Sequence, residues 1–157
     1  KKQQIAYTNY FTTPAPLNNW LWYVVAGNDS GYHIGYYSVF DNEKKINLHF
    51  FPRNDSLLYP LLHHEDIQHL LRFSNGFYTI QHLPSPEKEG DDTLVFNVLR
   101  FQQIAGWYDP GAKFVFYYYL YQPKDNHNIV QRGRFKGWTR ETTKSLINRI
   151  RGMNTTE

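Results

Sequence analysis

The chain contains no cysteine, which excludes disulfide bonds, zinc sites built from thiolates and thiol catalysis. It also lacks a long apolar run. The densest, residues 114–121, is far shorter than the roughly 18 apolar residues that a membrane-spanning helix needs. Strong charge of one sign is missing too, because 17 Lys and Arg face 14 Asp and Glu. The resulting net charge of +3 makes a nucleic-acid partner unlikely, since such domains normally carry a denser basic footprint.

Aromatic residues are what the chain has in excess: 13 Tyr, 11 Phe and 4 Trp make up 18% of it. Aromatic side chains suit the half-buried surface of a pleated sheet, so this excess predicts β structure. Residues 1–157 have the length and the ordinary apolar share of one globular domain. The start at Lys1-Lys2 has neither an initiator Met nor an apolar signal region, and we expect further sequence upstream.

Short apolar or alternating segments bounded by turn residues predict six strands in two groups of three. Residues 1–12 are expected to form an extended lead-in, and residues 13–121 a β-rich core. The segment 114–121 is apolar on both faces, so we expect it to be a central strand that is covered on both sides. The predicted strands cover residues 20–26, 32–40, 46–51, 77–83, 94–101 and 114–121.

Two helical regions follow the two groups of strands. The first contains Pro60, which predicts either one kinked helix or two short helices, ending at Asn75 and Gly76. The second is an amphipathic helix over residues 139–153 with Thr139 as its N-cap. Its predicted apolar face consists of Leu146, Ile147, Ile150 and Met153.

The resulting order, βββα-βββα, predicts an α+β fold. We expect one mainly antiparallel six-stranded sheet with the helices packed on it.

A cluster of histidines, His63, His64 and His69, is the best candidate for a metal site in a hydrolase. Glu65 and His69 are four residues apart and would share one helix face. The His-Glu-x-x-His pattern of helical zinc proteases is not met, because Gln68 stands where the second histidine is needed. A solvated polar helix face is the alternative. No catalytic, cofactor-binding or metal-binding residue is assigned on these grounds.

Basic residues concentrate near the C-terminus, where a single acid, Glu141, accompanies them. Such a segment could attract a lipid head group, an anionic membrane surface or a nucleic-acid backbone. The alternative is a solvated helix face with cations that favour the helix C-terminus. The basic residues are Arg132, Arg134, Lys136, Arg140, Lys144, Arg149 and Arg151.

Five residues are candidates for a ligand site or an interface: Trp22, Tyr36, Arg53, Arg100 and Trp107. The aromatic members could line a mostly apolar pocket, or they could pack in the core. The two arginines lie at strand ends, where a guanidinium either binds an anion or pairs with a carboxylate.

Short blocks along the chain also carry a family resemblance. They are Thr13-Pro14-Ala15-Pro16-Leu17-Asn18, Leu21-Trp22, Gly31-Tyr32, Gly35-Tyr36-Tyr37-Ser38, Phe51-Pro52-Arg53, Phe73-Ser74-Asn75-Gly76-Phe77-Tyr78, Leu99-Arg100-Phe101, Gly106-Trp107 and Phe114-Val115-Phe116. In this order they resemble the soluble C-terminal region of bacterial inner-membrane metal-dependent hydrolase-like proteins.

The resemblance implies an extramembrane accessory domain that binds a substrate, a lipid head group or a partner. Its own upstream membrane segment would be one partner, and the bacterial inner membrane its location, on either side. The family's hydrolase motifs lie among upstream membrane helices, so this fragment is expected to be non-catalytic and without a cofactor. A divalent metal would belong to the full-length protein. The alternatives are a metal-dependent hydrolase that uses His63, His64 or His69, and a stand-alone module for a small ligand or lipid.

Overall fold

A computed structural model describes residues 3–83, 93–121, 128–131 and 138–153. The fold is α+β, with antiparallel strand pairing. The strands are β1 (Asn9–Pro14), β2 (Leu21–Asn28), β3 (Gly31–Ser38), β4 (Leu48–Pro52), β5 (Tyr78–Leu83), β6 (Thr93–Val98), β7 (Tyr117–Tyr121) and β8 (Asn128–Gln131). The helices are a 3₁₀ helix (Asp55–Leu61), α1 (Glu65–Ser74) and α2 (Arg140–Ile150).

The chain divides into two compact units. The first unit comprises the described residues of 1–51, 102–113 and 135–157, and the second those of 52–101 and 114–134. Each unit has one four-stranded sheet, in the order β1-β2-β3-β4 or β5-β6-β7-β8. The first unit is therefore assembled from three separate stretches of sequence.

The sheet of the first unit is centred on the hairpin of β2 and β3. Its strands are joined by a tight turn in which the side-chain oxygen of Asn28 accepts hydrogen bonds from the backbone N–H groups of Ser30 and Gly31. Asn is common in such turns because its side chain imitates a backbone acceptor. Leu21, Tyr23 and Val25 on β2 are all fully buried, as the alternation of a half-buried strand requires.

The second unit has an apolar core between its helices and its sheet. Leu58 of the 3₁₀ helix and Ile67 of α1 pack with Ile80 and Phe96 of the sheet. Of the two alternatives predicted near Pro60, one kinked helix or two short helices, the structure shows the second, since the 3₁₀ helix and α1 are separate elements. Asn75 ends α1 in a left-handed conformation, which relieves the last turn of unpaired carbonyl groups.

The prediction of one six-stranded sheet in the order βββα-βββα is wrong. The observed order has four strands before the first helices and four before α2, in two separate sheets. The two missed strands are β1, which begins inside the expected lead-in, and β8, a four-residue strand in a polar stretch. Neither has a strong apolar alternation, because an edge strand needs only one neighbour and little burial.

The prediction of a central strand at 114–121 is confirmed for β7, which pairs with both β6 and β8. Leu120 is buried, whereas Tyr117, Tyr118 and Tyr119 remain half-exposed. Cover on both faces is therefore incomplete. The phenol groups keep part of their surface in water, as amphipathic aromatic side chains commonly do.

Helix α2 begins as predicted at Thr139, whose hydroxyl accepts the backbone N–H of Thr142 in a capping box. The predicted apolar face is wrong for two of its members, because Ile147 and Met153 are about half exposed. The buried residues of α2 are instead Ser145 and Arg149. A helix normally buries its apolar stripe, so a buried serine and arginine indicate polar partners beneath them.

Candidate functional site

A cleft of about 550 Å³ lies in the first unit. It is bounded by β3, by the segment 41–51, by the loop 102–113 and by the end of α2. Its volume is within the range of small-molecule sites, which are usually about 300–1,000 Å³. The lining residues that carry the argument are Tyr36, Asp41, His49, Gln103, Trp107 and Arg149.

Tyr36 supplies the most unusual polar group of the cleft wall. Its hydroxyl is buried and makes no protein hydrogen bond with the residues that the structure describes. Burial raises the pKa of Tyr36 far above its ordinary value, and the nearby backbone N–H of Gln103 offsets only part of this effect without reaching good hydrogen-bond geometry. The hydroxyl is therefore protonated at physiological pH and can both donate and accept a hydrogen bond.

Tyr23 lies behind Tyr36, with the ring centroids 5.3 Å apart. Its hydroxyl is likewise buried and unpaired among the described residues. Burial, and to a smaller extent the adjacent Tyr36, raise the pKa of Tyr23 as well. Tyr23 is not part of the cleft lining, so the two tyrosines form a natural pair for comparison.

The loop 102–113 is held by side-chain hydrogen bonds to its own backbone. The amide nitrogen of Gln103 donates to the carbonyl groups of Pro110 at 2.7 Å and Ala112 at 2.9 Å. Gly106 permits a close approach, because a Cβ there would lie only 2.6 Å from the Tyr36 hydroxyl. Because Gly106 has no side chain, the loop can lie directly against Tyr36.

Trp107 follows Gly106 and is nearly buried. Its ring meets that of Tyr36 edge to face, with centroids 6.0 Å apart. The indole N–H donates to the hydroxyl of Ser145 on α2 at 3.1 Å. This hydrogen bond accounts for the buried serine on α2. It also fixes the orientation of the indole ring in the cleft wall.

Arg149 is the second polar residue that α2 turns inward. Its guanidinium donates to both carboxylate oxygens of Asp41, at 2.5 and 2.7 Å, and to the backbone carbonyl of Tyr36 at 2.9 Å. The backbone N–H of Ser38 also donates to Asp41. This buried two-point ion pair joins residues 108 positions apart and fixes α2 against the end of β3.

The five candidate residues from the sequence are distributed over both units. Tyr36 and Trp107 meet in the cleft of the first unit. Trp22 does not line it, because Trp22 pairs across the sheet with Tyr37, one residue from Tyr36 and therefore on the opposite face. Its indole N–H donates to the carbonyl of Asn19 instead.

Arg53 and Arg100 belong to the second unit. Arg53 forms an ion pair with Asp55 at 2.9 Å, and its guanidinium carbon lies 4.9 Å from the centroid of the Tyr78 ring. Of the two roles considered for Arg53, anion binding and pairing with a carboxylate, the structure shows the pairing. Arg100 is exposed and donates to the carbonyl of Phe73 near the end of α1 at 3.1 Å.

His63, His64 and His69 lie around the start of α1 in the second unit. The rings of His63 and His64 are neighbours, with centroids 4.0 Å apart, while His69 is exposed. Among the described residues, no group of three or more His, Cys, Asp or Glu side chains is arranged to hold a metal ion.

Three groups of the cleft were missed by sequence reasoning: Asp41, Gln103 and the role of Arg149. Arg149 was counted only as one cation in the basic segment, of which Arg132, Arg134 and Lys136 lie outside the described residues. One signal was present, since Ser145 and Arg149 are four residues apart on a helix side opposite to the most exposed basic residues. Nothing in the sequence pairs that side with Asp41.

Comparison with protein-family models, with curated proteins and with solved structures finds no match for this chain. Within the described part of the chain, no helix has the length and apolar character needed to cross a bilayer. The case for function therefore depends on the geometry of the cleft.

Proposed function

We propose that the first unit is a binding module for a small polar ligand that carries a planar or sugar ring, and that the cleft beside Tyr36 and Trp107 is its site. The observation that supports this most is the buried, unpaired hydroxyl of Tyr36 in the wall of a cleft. A buried polar group without a partner costs about 1–3 kcal/mol, and a bound ligand group is one way to offset that cost.

The chemistry of the cleft favours a ligand of mixed character. Tyr108, which is 56% exposed, offers most of the aromatic surface for a planar or sugar ring, because Trp107 exposes only 7% of its surface. Glu43, Lys45 and His49 add charges of both signs and an imidazole. Gly106 covers the Tyr36 hydroxyl, so a ligand group that displaces this part of the loop would supply the hydrogen bond that the hydroxyl lacks.

The resemblance described above adds a context to this proposal. Two of its blocks, Gly35-Tyr36-Tyr37-Ser38 and Gly106-Trp107, are far apart in the sequence and both contribute to the cleft. This convergence favours the cleft as the binding element of an extramembrane accessory domain of a membrane-bound, metal-dependent hydrolase-like protein. Membrane association and the hydrolase itself are parts of the proposal that rest on the resemblance.

The test compares two phenylalanine variants. In Tyr36→Phe, removal of the unpaired hydroxyl should raise the unfolding free energy by about 1 kcal/mol and weaken ligand binding about tenfold. In Tyr23→Phe, the matched control, stability should rise similarly while binding stays unchanged, because Tyr23 does not line the cleft. Stability is measured by urea unfolding.

Ligands are sought by native mass spectrometry of the freshly purified chain and by thermal shift with nucleosides, hexoses and aromatic amino acids. A retained molecule or a stabilising compound that loses its effect in Tyr36→Phe supports the proposal. If no molecule is retained and no compound distinguishes Tyr36→Phe from Tyr23→Phe, the cleft is not a binding site of this kind.

A further inference from the structure

Helix α2 presents a stripe of exposed residues on the side opposite to Ser145 and Arg149. Arg140, Lys144, Ile147 and Arg151 are spaced by four, three and four residues, which places them on one line along a helix of 3.6 residues per turn. All four are exposed, and Glu141 is the only acid within α2. The stripe therefore combines three positive charges with one apolar side chain.

Apolar side chains continue this surface beyond the end of α2. Gly152, at a φ of 80°, lies against the backbone carbonyl of Phe40 so closely that no side chain would fit between them. The hydroxyl of Ser38 donates to the carbonyl of Ile150, which fixes the same junction. Phe40 is 55% exposed and Met153 48%, so both apolar groups face solvent near the basic stripe.

Trp20 extends the apolar part further. Its carbonyl accepts the backbone N–H of Val39 at 2.9 Å, which keeps it beside the Val39-Phe40 corner. Trp20 and Val39 are each 52% exposed. Large exposed apolar side chains that cluster beside one another usually mark a surface that contacts a partner or a membrane.

We propose that this surface, formed by Arg140, Lys144, Ile147, Arg151, Met153, Phe40, Val39 and Trp20, docks on an anionic phospholipid bilayer. The charge is complementary to acidic head groups, and the apolar groups match the boundary between head groups and acyl chains, where Trp is favoured. A nucleic-acid backbone would satisfy the basic stripe but would leave Phe40 and Met153 in water. The proposal is independent of the cleft and of its ligand.

Sedimentation with phospholipid vesicles tests the proposal on the chain in low-salt buffer. One vesicle preparation is phosphatidylcholine alone, and the other is phosphatidylcholine and phosphatidylglycerol in equal parts. The chain should bind the second and not the first, and added salt should weaken binding because it screens the charges. Equal binding to both preparations, or to neither, overturns the proposal.

Two pairs of variants locate the contact. Lys144→Glu should lower the partition into anionic vesicles about fivefold or more, since each basic residue near such a surface contributes about that factor. Arg72→Glu, at an exposed position of α1 in the second unit, changes the net charge equally and should have little effect. Phe40→Ser should also lower the partition, whereas Tyr59→Ser, at an exposed aromatic of the second unit, should not.

All four positions are exposed, so the circular dichroism spectrum and melting temperature should match those of the unaltered chain. A fall in binding that is the same for Lys144→Glu and Arg72→Glu would show attraction by net charge alone and overturn the docking surface. Retention on duplex DNA without vesicle binding would assign the basic stripe to a nucleic acid instead.

Discussion

Each of the two units contains an arginine–aspartate ion pair, and the two pairs differ in burial. In the first unit, the side chains of Arg149 and Asp41 are each only 9% exposed and are joined by two hydrogen bonds. In the second, Arg53 and Asp55 form an ion pair at 2.9 Å with side chains 23% and 36% exposed. The first pair is buried, whereas the second is partly exposed, although its two contacting atoms, Arg53 Nε and Asp55 Oδ1, are themselves covered.

The interiors of the two units also differ in the kinds of side chain that they bury. The helix–sheet core of the second unit consists of leucine, isoleucine, valine and phenylalanine together with Tyr78, and its sheet also buries the small polar side chains of Thr79 and Asn97. The first unit buries Tyr23, Tyr36, Gln103 and Arg149 near a cleft. Burial of polar groups is expensive and apolar packing alone stabilises a fold, so the polar interior is the better marker of a site.

The largest effect should come from breaking the two ion pairs. Arg149→Ala leaves the buried Asp41 without its partner, and we expect the unfolding free energy in urea to fall by about 3–5 kcal/mol. Arg53→Ala, the comparison in the second unit, should cost less, about 1–2 kcal/mol, because the pair is partly solvated and the guanidinium also contacts Tyr78. Equal losses in the two variants would show that burial does not separate the pairs.

An intermediate effect is expected from filling the space at Gly106. A Cβ there would lie 2.4 Å from the side-chain oxygen of Gln103 and 2.6 Å from the Tyr36 hydroxyl, so Gly106→Ala must shift these side chains or push the loop away. We expect a loss of about 1–3 kcal/mol in urea unfolding, as overpacked sites show.

Gly111→Ala is the control for Gly106→Ala, in the same loop. A Cβ at Gly111 would meet only the side-chain oxygen of Asp109, at 3.3 Å. Its effect should stay within about 0.5 kcal/mol, as for most surface substitutions. A Gly106→Ala variant as stable as Gly111→Ala would mean that the loop does not need this close approach.

Alkaline pH should separate the units through their tyrosines. Burial raises the pKa of Tyr23 and Tyr36 above the ordinary value of 10.0, so the folded state keeps protons that the unfolded chain releases. The unfolding free energy is then unaffected below about pH 10. It falls as the pH rises beyond this value, by about 1.4 kcal/mol per pH unit for each tyrosine.

The control uses Tyr78 and Tyr118 of the second unit, whose pKa values are raised by burial in less enclosed surroundings. Urea unfolding at several pH values should lose most of its alkaline slope in the Tyr23→Phe/Tyr36→Phe variant. Tyr78→Phe/Tyr118→Phe should retain most of it. The reverse result would place the strongest alkaline sensitivity in the second unit.

Local patterns predicted the interior strands and the helices well. Leu21, Tyr23 and Val25 alternate with less buried neighbours, and Asn75 ends α1 as predicted. The edge strands β1 and β8 were not predicted, because a strand that pairs on one side only shows weak apolar alternation. The division of the strands into two sheets was not predicted, because the pattern of an antiparallel strand does not show which sheet it belongs to.

The sequence by itself determined the α+β class, the end of α1 at Asn75, the cap at Thr139 and the aromatic residues Tyr36 and Trp107 as site candidates. These follow from local chemistry, namely turn geometry, capping and the period of buried side chains. Only the tertiary structure brought Arg149 to Asp41, and Gly106 to the hydroxyl of Tyr36. Both contacts join distant parts of the chain, and no local spacing encodes a contact that exists only after the chain has folded.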